Sequence, residues 1–309
     1  MPFSQYATYR YVNIVVQWNN VVSTNPTSEN DGASMWCNGD SNDRINLVQH
    51  HVSDSLAQGM GGVYHLSGAL TVVSKNGIYR KVTSTTHGAV VHASMNANIS
   101  MEAMQVFQAE ALNGHGGVAR IESGSTLFIT ASSSVTKATA GKNGGVVSIS
   151  DKESTLVVRS LNTTQCHAKI DGGVFQVENG ASLEATQWTS THATVGRNGG
   201  ALSGAKGAQI RLSACDLSDS VAAKDGGHIH LTSQTTLSLV EGNMKKSHAS
   251  GKGGSIYAEA ASHIEHDGKC TLRDGTAIHE DGGGLLYLSS SNFIMQKTTN
   301  QIMKKTFLL

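Results

Sequence analysis

The stretch Asp171-Gly172-Gly173-Val174-Phe175-Gln176-Val177 decides the fold, because close relatives of it return at near-constant intervals along the chain. Successive copies lie about 27 to 30 residues apart, and a fixed period in that range is typical of a stacked-repeat solenoid. The glycine pairs are Gly61-Gly62, Gly116-Gly117, Gly144-Gly145, Gly172-Gly173, Gly199-Gly200, Gly226-Gly227, Gly253-Gly254 and Gly283-Gly284, and His87-Gly88 is a degenerate copy with a single glycine.

A short strand is predicted after each glycine pair. The residues two and four positions beyond the second glycine are mostly apolar, as in Tyr64 and Leu66 or Phe175 and Val177. A spacing of two places such side chains on one face of a strand, so we expect them to point into the coil. Asn or Asp precedes several pairs, and Asn-Gly or Asp-Gly supplies the positive φ of a tight corner.

Two further ladders run in phase with the first. The stronger one consists of Leu70, Ile99, Leu127, Leu156, Leu183, Ile210, Leu237, Ile264 and Phe293, and the weaker one of Leu112, Ala140, Ala168, Val195, Ala222 and Ala249. Three short strands per period describe an all-β parallel β-helix whose turns hydrogen-bond to one another at about 4.8 Å. We predict about nine turns, which corresponds to a rod roughly 43 Å long.

The repeat also resembles a known family. Its corner, best seen in Gly199-Gly200-Ala201-Leu202 and Gly253-Gly254-Ser255-Ile256, is similar to the repeat of the chlamydial polymorphic outer-membrane proteins and of related microbial β-helix proteins. The resemblance covers about residues 60 to 290, although the Phe-x-x-Asn half of that family's repeat is missing. It implies a single-stranded, right-handed, pectin-lyase-like β-helix at the cell surface or outside the cell.

The ends of the chain differ from the repeats. We interpret residues 1–60 as an irregular N-terminal cap or degenerate first turns, 61–295 as the β-helix, and 296–309 as a C-terminal tail that we expect to be truncated. No stretch reads as a secretory signal or as a transmembrane helix. Because proteins with a similar repeat are usually exported, we expect this sequence to be part of a longer chain.

Composition restricts the partners. The chain of 309 residues carries 23 basic and 23 acidic side chains, so a nucleic-acid partner held by a broad basic surface is not expected. The four cysteines, Cys37, Cys166, Cys215 and Cys270, show no metal-binding spacing and are predicted to be free thiols that are mostly buried. No motif indicates a cofactor.

The candidate catalytic residues lie on the outward face of the strand after the glycines. Three positions beyond the second glycine we expect an outward row of His65, Val91, Arg120, Ser148, Gln176, Ser203, His230, Tyr257 and Tyr287. Glu122 and Glu178 lie two positions further on and two turns apart, at the far edge of the separation used by inverting glycosidases. Arg120 stands beside Glu122 and could hold an acidic sugar. The alternative is that both glutamates are ordinary solvated residues.

A metal site is a second hypothesis. His228 and His230 alternate on one strand and are expected to point outward together, which suits a transition metal. Surface histidines without a metal are the more common situation. His115, in Gly114-His115-Gly116, occupies the slot that holds Asn or Asp in other turns and is therefore interpreted as a turn residue.

These observations favour a non-enzymatic role. We expect a surface or secreted rod that contacts carbohydrate or a surface protein, because acids, bases and ligands do not converge at one place in the sequence. One alternative is a polysaccharide lyase or glycoside hydrolase acting on the outer face of the first sheet. The other is a purely structural spacer.

Overall fold

The computed structural model of the protein describes residues 15–267 and 269–295, and within them every regular element is a β-strand. The strands pair in parallel from one turn to the next, which confirms the predicted parallel β-solenoid. The tail that we predicted at 296–309 lies outside the described residues.

One face of the coil is a ten-stranded sheet, here called the front sheet. Each of its strands follows a glycine corner. Its members are β4 Met35–Gly39, β8 Tyr64–Gly68, β11 Val91–Ser94, β14 Ala119–Ile121, β18 Val147–Ser150, β21 Phe175–Glu178, β24 Leu202–Gly204, β27 Ile229–Leu231, β29 Ile256–Ala258 and β32 Leu286–Leu288.

The rest of each turn belongs to a second, 23-stranded sheet that bends around the coil, here called the wrapped sheet. Residues with positive φ, such as Gln187 in β22, mark its bends. Its first members are β1 Val15–Asn19, β2 Val22–Thr24, β3 Thr27–Ser28, β5 Arg44–Val48, β6 His51–Ser53, β7 Leu56–Ala57, β9 Thr71–Lys75, β10 Ile78–Ser84, β12 Asn98–Glu102, β13 Gln105–Ala111, β15 Thr126–Thr130 and β16 Ser133–Thr136. They continue as β17 Thr139–Ala140, β19 Thr155–Thr164, β20 His167–Ala168, β22 Ser182–Thr191, β23 Thr194–Val195, β25 Gln209–Ser218, β26 Val221–Ala222, β28 Thr236–Ala249, β30 His263–His266, β31 Cys270–Ala277 and β33 Asn292–Met295.

The described chain makes about ten turns, close to the nine predicted. The extra turn contains Gly32, which has a positive φ of 61° like the first glycine of every later corner. Because Ala33 replaces the second glycine there, the glycine-pair pattern did not reveal it. The strands β1 to β7, within the predicted cap or degenerate first turns, pair in register with the turns that follow them.

The two glycines of a corner are needed for different reasons. Gly172 has φ +66°, and a Cβ there would overlap the carbonyl oxygen of Phe175 in the same turn. Gly173 has no positive φ, but a Cβ on it would overlap the carbonyl oxygen of Gly200 in the next turn. The first glycine therefore makes the corner, and the second lets successive turns approach one another.

The core lies inside the coil and is filled by the inward ladders. Leu127, Leu156, Leu183, Ile210, Leu237 and Ile264 pair in register and are buried, as predicted. Two positions differ from the prediction. Val72, not Leu70, is the partner of Ile99, and Ala111, not Leu112, is the partner of Ala140. Val72 keeps the usual spacing of ten residues from the second glycine of its corner, as Leu127 does, so the choice of Leu70 was an error of counting. Ala111 lies five residues before the first glycine of its corner where Ala140 lies four, so a count from the glycines misplaces it.

The largest core side chain is Trp188, which is fully buried against the ring of Phe175 with 4.6 Å between ring centroids. Its Nε1 donates a hydrogen bond to Thr163 Oγ1 at 3.1 Å. The four cysteines are free and three of them are buried, as predicted. Burial raises the pKa of the Cys166 thiol to about 12, so this thiol is a packing group.

Candidate functional site

The candidate site is the line of outward side chains along the front sheet, here called the outer row. It consists of Trp36, His65, His92, Arg120, Ser148, Gln176, Ser203, His230, Tyr257 and Tyr287, one residue from each turn. Each alternates with core residues of its own strand, as Gln176 does between Phe175 and Val177.

His92, not Val91, belongs to this row. Val91 pairs with Tyr64 and Ala119 and is fully buried inside the coil, so its predicted outward position is wrong. The prediction counted from Gly88 as if it were a second glycine. With φ +55°, Gly88 is instead the first residue of its corner and Ala89 takes the second place. This one-residue shift moves a histidine into the row.

Although the outer row points away from the core, most of it is hardly accessible. His92 is 2% exposed, Gln176 3% and His230 6%. Their neighbours in the row and the side chains on either side of it cover them. Within the described residues, Nδ1 of His92, Oε1 of Gln176 and Nδ1 of His230 are buried without a hydrogen-bond partner. Buried polar atoms are normally paired, so these atoms are potential contacts for a bound molecule.

Glu122 is anchored beside the row by two of its members. His92 Nε2 lies 3.1 Å from Oε1, and Arg120 Nε donates to Oε2 at 3.0 Å. Arg120 also donates through Nη1 to Ser148 Oγ at 2.7 Å. The hydrogen bond from His92, together with the nearby guanidinium of Arg120, lowers the pKa of Glu122 to about 2. The carboxylate is therefore ionised and both of its oxygens are engaged.

Imidazole rings surround this anchored carboxylate. His65 stacks on His92 with 4.9 Å between centroids, and His87 stacks on His115 at 5.3 Å. At the first turn, the ring of Trp36 stacks on His65 at 6.4 Å. Burial lowers the pKa of His65, His87 and His115 to about 4, and the guanidinium of Arg120 adds to this effect at His87 and His115. These rings are therefore neutral near pH 7.

The glycine corners flank one side of the row with a second line of side chains, here called the corner ladder. Its members precede the first glycines, and six of them accept a hydrogen bond from the backbone N–H of the equivalent residue one turn later. The bonds run from Met60 to Asp31, His115 to His87, Asp171 to Asn143, Asn198 to Asp171, Asp225 to Asn198 and Lys252 to Asp225. Arg197 additionally forms a two-pronged ion pair with Asp171. Asn, Asp and His at this slot therefore tie successive corners together.

The last turns of the outer row form an aromatic stack. His230 and Tyr257 lie 5.1 Å apart, and Tyr257 and Tyr287 lie 5.2 Å apart, with their ring planes parallel within 1°. The Tyr257 hydroxyl donates a hydrogen bond to the Glu259 carboxylate at 2.6 Å. Burial is the main cause of a raised pKa of the phenol, and the Glu259 carboxylate raises it further. Lys252 lies over the Tyr287 ring at 4.6 Å and donates to its hydroxyl.

The proposed catalytic carboxylates have different surroundings. Glu122 is held by Arg120 as described, whereas Glu178 lies in β21 with Lys206 Nζ 3.9 Å from its carboxylate. No described hydrogen bond or ion pair links Glu178 to Glu122 or Arg120. The structure thus brings Arg120 and Glu122 together and leaves Glu178 to a separate ion pair with Lys206, whose side chain is largely exposed.

The two candidate metal ligands also differ in their surroundings. His228 is fully buried, and its Nε2 lies 3.2 Å from the carbonyl oxygen of Lys245, whereas His230 belongs to the outer row. In the part of the chain that the structure describes, no group of three or more His, Cys, Asp or Glu side chains could hold a metal ion.

Comparison of the chain with protein-family models, with curated proteins and with solved structures found no match. Residues 15–267 and 269–295 contain no helix of the length and hydropathy needed to cross a bilayer.

Proposed function

We propose that this chain is a non-catalytic binding rod of a surface or secreted protein, and that it holds a carbohydrate chain along the outer row. The observation that supports this most is the unpaired polar atoms of the row. His92, Gln176 and His230 are at least nine-tenths buried on an outward face, with ring or amide atoms that no described residue satisfies. A hydroxyl-rich chain can donate to or accept from such atoms at these three of the ten turns once the side chains that cover them turn aside.

The shape of the site also suits an extended ligand. The row offers one side chain per turn over ten turns, and the turns repeat at about 4.8 Å. The ligand would lie between the corner ladder on one side and residues such as Glu122 and Glu259 on the other. The likeness of the repeat to that of the chlamydial polymorphic outer-membrane proteins supports a role outside the cell.

Catalysis is the less favoured proposal. General acid catalysis of glycoside hydrolysis requires a carboxyl group that is protonated near neutral pH. Glu122 is kept ionised by His92 and Arg120, and both of its oxygens already accept hydrogen bonds. An ionised Glu122 would have to serve as the base or nucleophile, but both of its oxygens are held by His92 and Arg120, and Glu178 pairs instead with Lys206.

Binding to immobilised neutral and acidic polysaccharides tests the proposal. We expect the purified chain to be retained on at least one of them, and Gln176→Leu to weaken retention at least tenfold because it removes an unpaired amide from the middle of the row. Thr186→Leu is the matched control, since Thr186 faces outward on the wrapped sheet in β22. Circular dichroism checks that both variants fold.

Two outcomes would overturn the proposal. One is no retention on any polysaccharide, which would leave a structural spacer. The other is cleavage, detected as new reducing ends or as unsaturated uronate absorbance, that disappears in Glu178→Gln. The second result would place an enzyme on the front sheet.

A further inference from the structure

A second concave region lies on the wrapped sheet, on a different face of the coil from the outer row. Here β6, β10, β13 and β16 run side by side, with Ser53, Arg80, Phe107 and Thr136 in register. They border a cavity of about 690 Å³. Pockets of this size are typical of small-molecule sites.

Phe107 places an aromatic ring at this cavity. Its neighbour Val106 points into the core, so the alternation of the strand directs Phe107 outward, where it remains 41% exposed. Lys137 Nζ lies 5.7 Å from the ring centroid. In a chain with only 5% aromatic residues, an exposed phenyl ring inside a concavity is a distinctive feature.

The charged groups at the cavity are mainly basic. Arg80 and Lys81 line it and Lys137 lies above Phe107, whereas the one acidic lining residue is Asp54, 3.7 Å from Lys81. The guanidinium of Arg80, the register neighbour of Phe107, has no hydrogen-bond or ion-pair partner within residues 15–267 and 269–295. The guanidinium is therefore free to form a bidentate ion pair with a planar anion such as a carboxylate, next to the apolar ring of Phe107.

We propose that this cavity binds a six-membered ring that carries a carboxylate. The carboxylate pairs with Arg80 in a two-pronged arrangement, and the ring lies on the face of Phe107. Gln105, Ser134 and Thr136 supply polar contacts to the edge of the ring. A uronic sugar and an aromatic acid share this chemistry. The site does not depend on the carbohydrate role proposed for the outer row, since it uses none of the same residues.

The test is ligand-detected NMR titration of the full chain with glucuronate, benzoate and their uncharged counterparts, glucose and benzyl alcohol. We expect at least one of the two carboxylates to bind at least tenfold more tightly than its uncharged counterpart. Binding of glucuronate alone would identify a uronic sugar, binding of benzoate alone an aromatic acid, and both results support the site. Binding of neither carboxylate, or equal binding of charged and uncharged rings, would overturn it.

Variants locate the site. Arg80→Gln should weaken binding at least tenfold, because it removes the charged, bidentate partner of the carboxylate. Phe107→Ala should also weaken binding at least tenfold, because it removes the aromatic face on which the ring of the ligand lies. Arg159→Gln is the matched control, because Arg159 is an exposed arginine of β19 outside the cavity lining. Carboxylate binding that is unchanged in Arg80→Gln, or lost equally in Arg159→Gln, would place the interaction elsewhere.

Discussion

Nδ1 of His87 accepts a hydrogen bond from the backbone N–H of His115, one turn further along the coil, at 3.0 Å. Only an unprotonated Nδ1 can accept, so this corner needs a neutral imidazole. Elsewhere in the corner ladder the same role is taken by Asn143 and Asn198 through Oδ1. The fold has thus placed an imidazole where two other turns use an amide and three use a carboxylate.

We expect His87→Asn to preserve the corner and to reduce its sensitivity to acid. The amide can accept from His115 as in the sister turns, so stability near pH 7 should change by less than about 0.5 kcal/mol. His87→Leu should lose about 1 kcal/mol, since the N–H of His115 is left unpaired. Urea denaturation near pH 7 and pH 5 measures both effects. Equal stability of the Asn and Leu variants at both pH values would contradict this role of the ring.

The protein as a whole should lose stability as the pH falls from about 6.5 to about 4. Burial lowers the pKa of His50, His65, His87, His115 and His228 to about 4, below the unfolded value of 6.5. In that window the unfolded chain binds more protons than the folded chain, so acid favours unfolding. Unfolding free energies measured at several pH values check this. A flat profile between pH 6.5 and pH 4 would show that these rings are not kept neutral by the fold.

Protonation of Glu122 should cause a further loss of folding stability at lower pH. The pKa of Glu122 in the folded state, about 2, lies below the ordinary value of 4.5. Its contribution to the free energy of unfolding is therefore complete above pH 4.5 and is lost as the pH falls towards 2. Glu122→Gln should remove this low-pH component and leave the histidine component in place. An identical profile in the variant would mean that the contacts from His92 and Arg120 do not stabilise the fold.

The first glycine of a corner should tolerate no side chain. Gly172→Ala puts a methyl group onto the carbonyl oxygen of Phe175 at φ +66°, and we expect a loss of more than about 3 kcal/mol. Gly207→Ala is the control, because Gly207 has φ +76° but nothing within 4 Å of its Cβ position. Strain alone should cost the control about 1–2 kcal/mol. Thermal or urea unfolding measures the loss of stability in each variant. Equal losses in Gly172→Ala and Gly207→Ala would rule out a steric clash as the cause.

The buried indole should stabilise the middle turns. Trp188→Ala removes the contact with Phe175 and is expected to cost about 3–5 kcal/mol. Thr163→Val keeps the volume but leaves the indole N–H without its acceptor, which should cost about 1–3 kcal/mol. Calorimetry of the two variants distinguishes packing from hydrogen bonding. A neutral Thr163→Val would show that the indole N–H finds another partner.

The sequence predicted the parallel solenoid and its inward ladders well, because one period of about 27 to 30 residues sets both the stacking and the alternation. The prediction was wrong where a turn departs from this repeat pattern. At Gly88 a single glycine displaced the count by one residue, and His92 was therefore missed in the outer row. The histidine four positions after the single glycine of this corner, the spacing that separates Gly116 from Arg120, is the signal that could have found it.

The sequence by itself determined that the chain coils, which faces of the strands point inward, and that glycine corners join them. These properties follow from local periodicity and from steric limits on each residue. Only the tertiary structure decided which side chains meet. His92, Arg120 and Glu122 come from adjacent turns, and Arg80 lies beside Phe107 in the register between β10 and β13 although 27 positions separate them in the sequence. Such contacts depend on the exact register between turns, and a shift of one residue turns a side chain from the core to the surface.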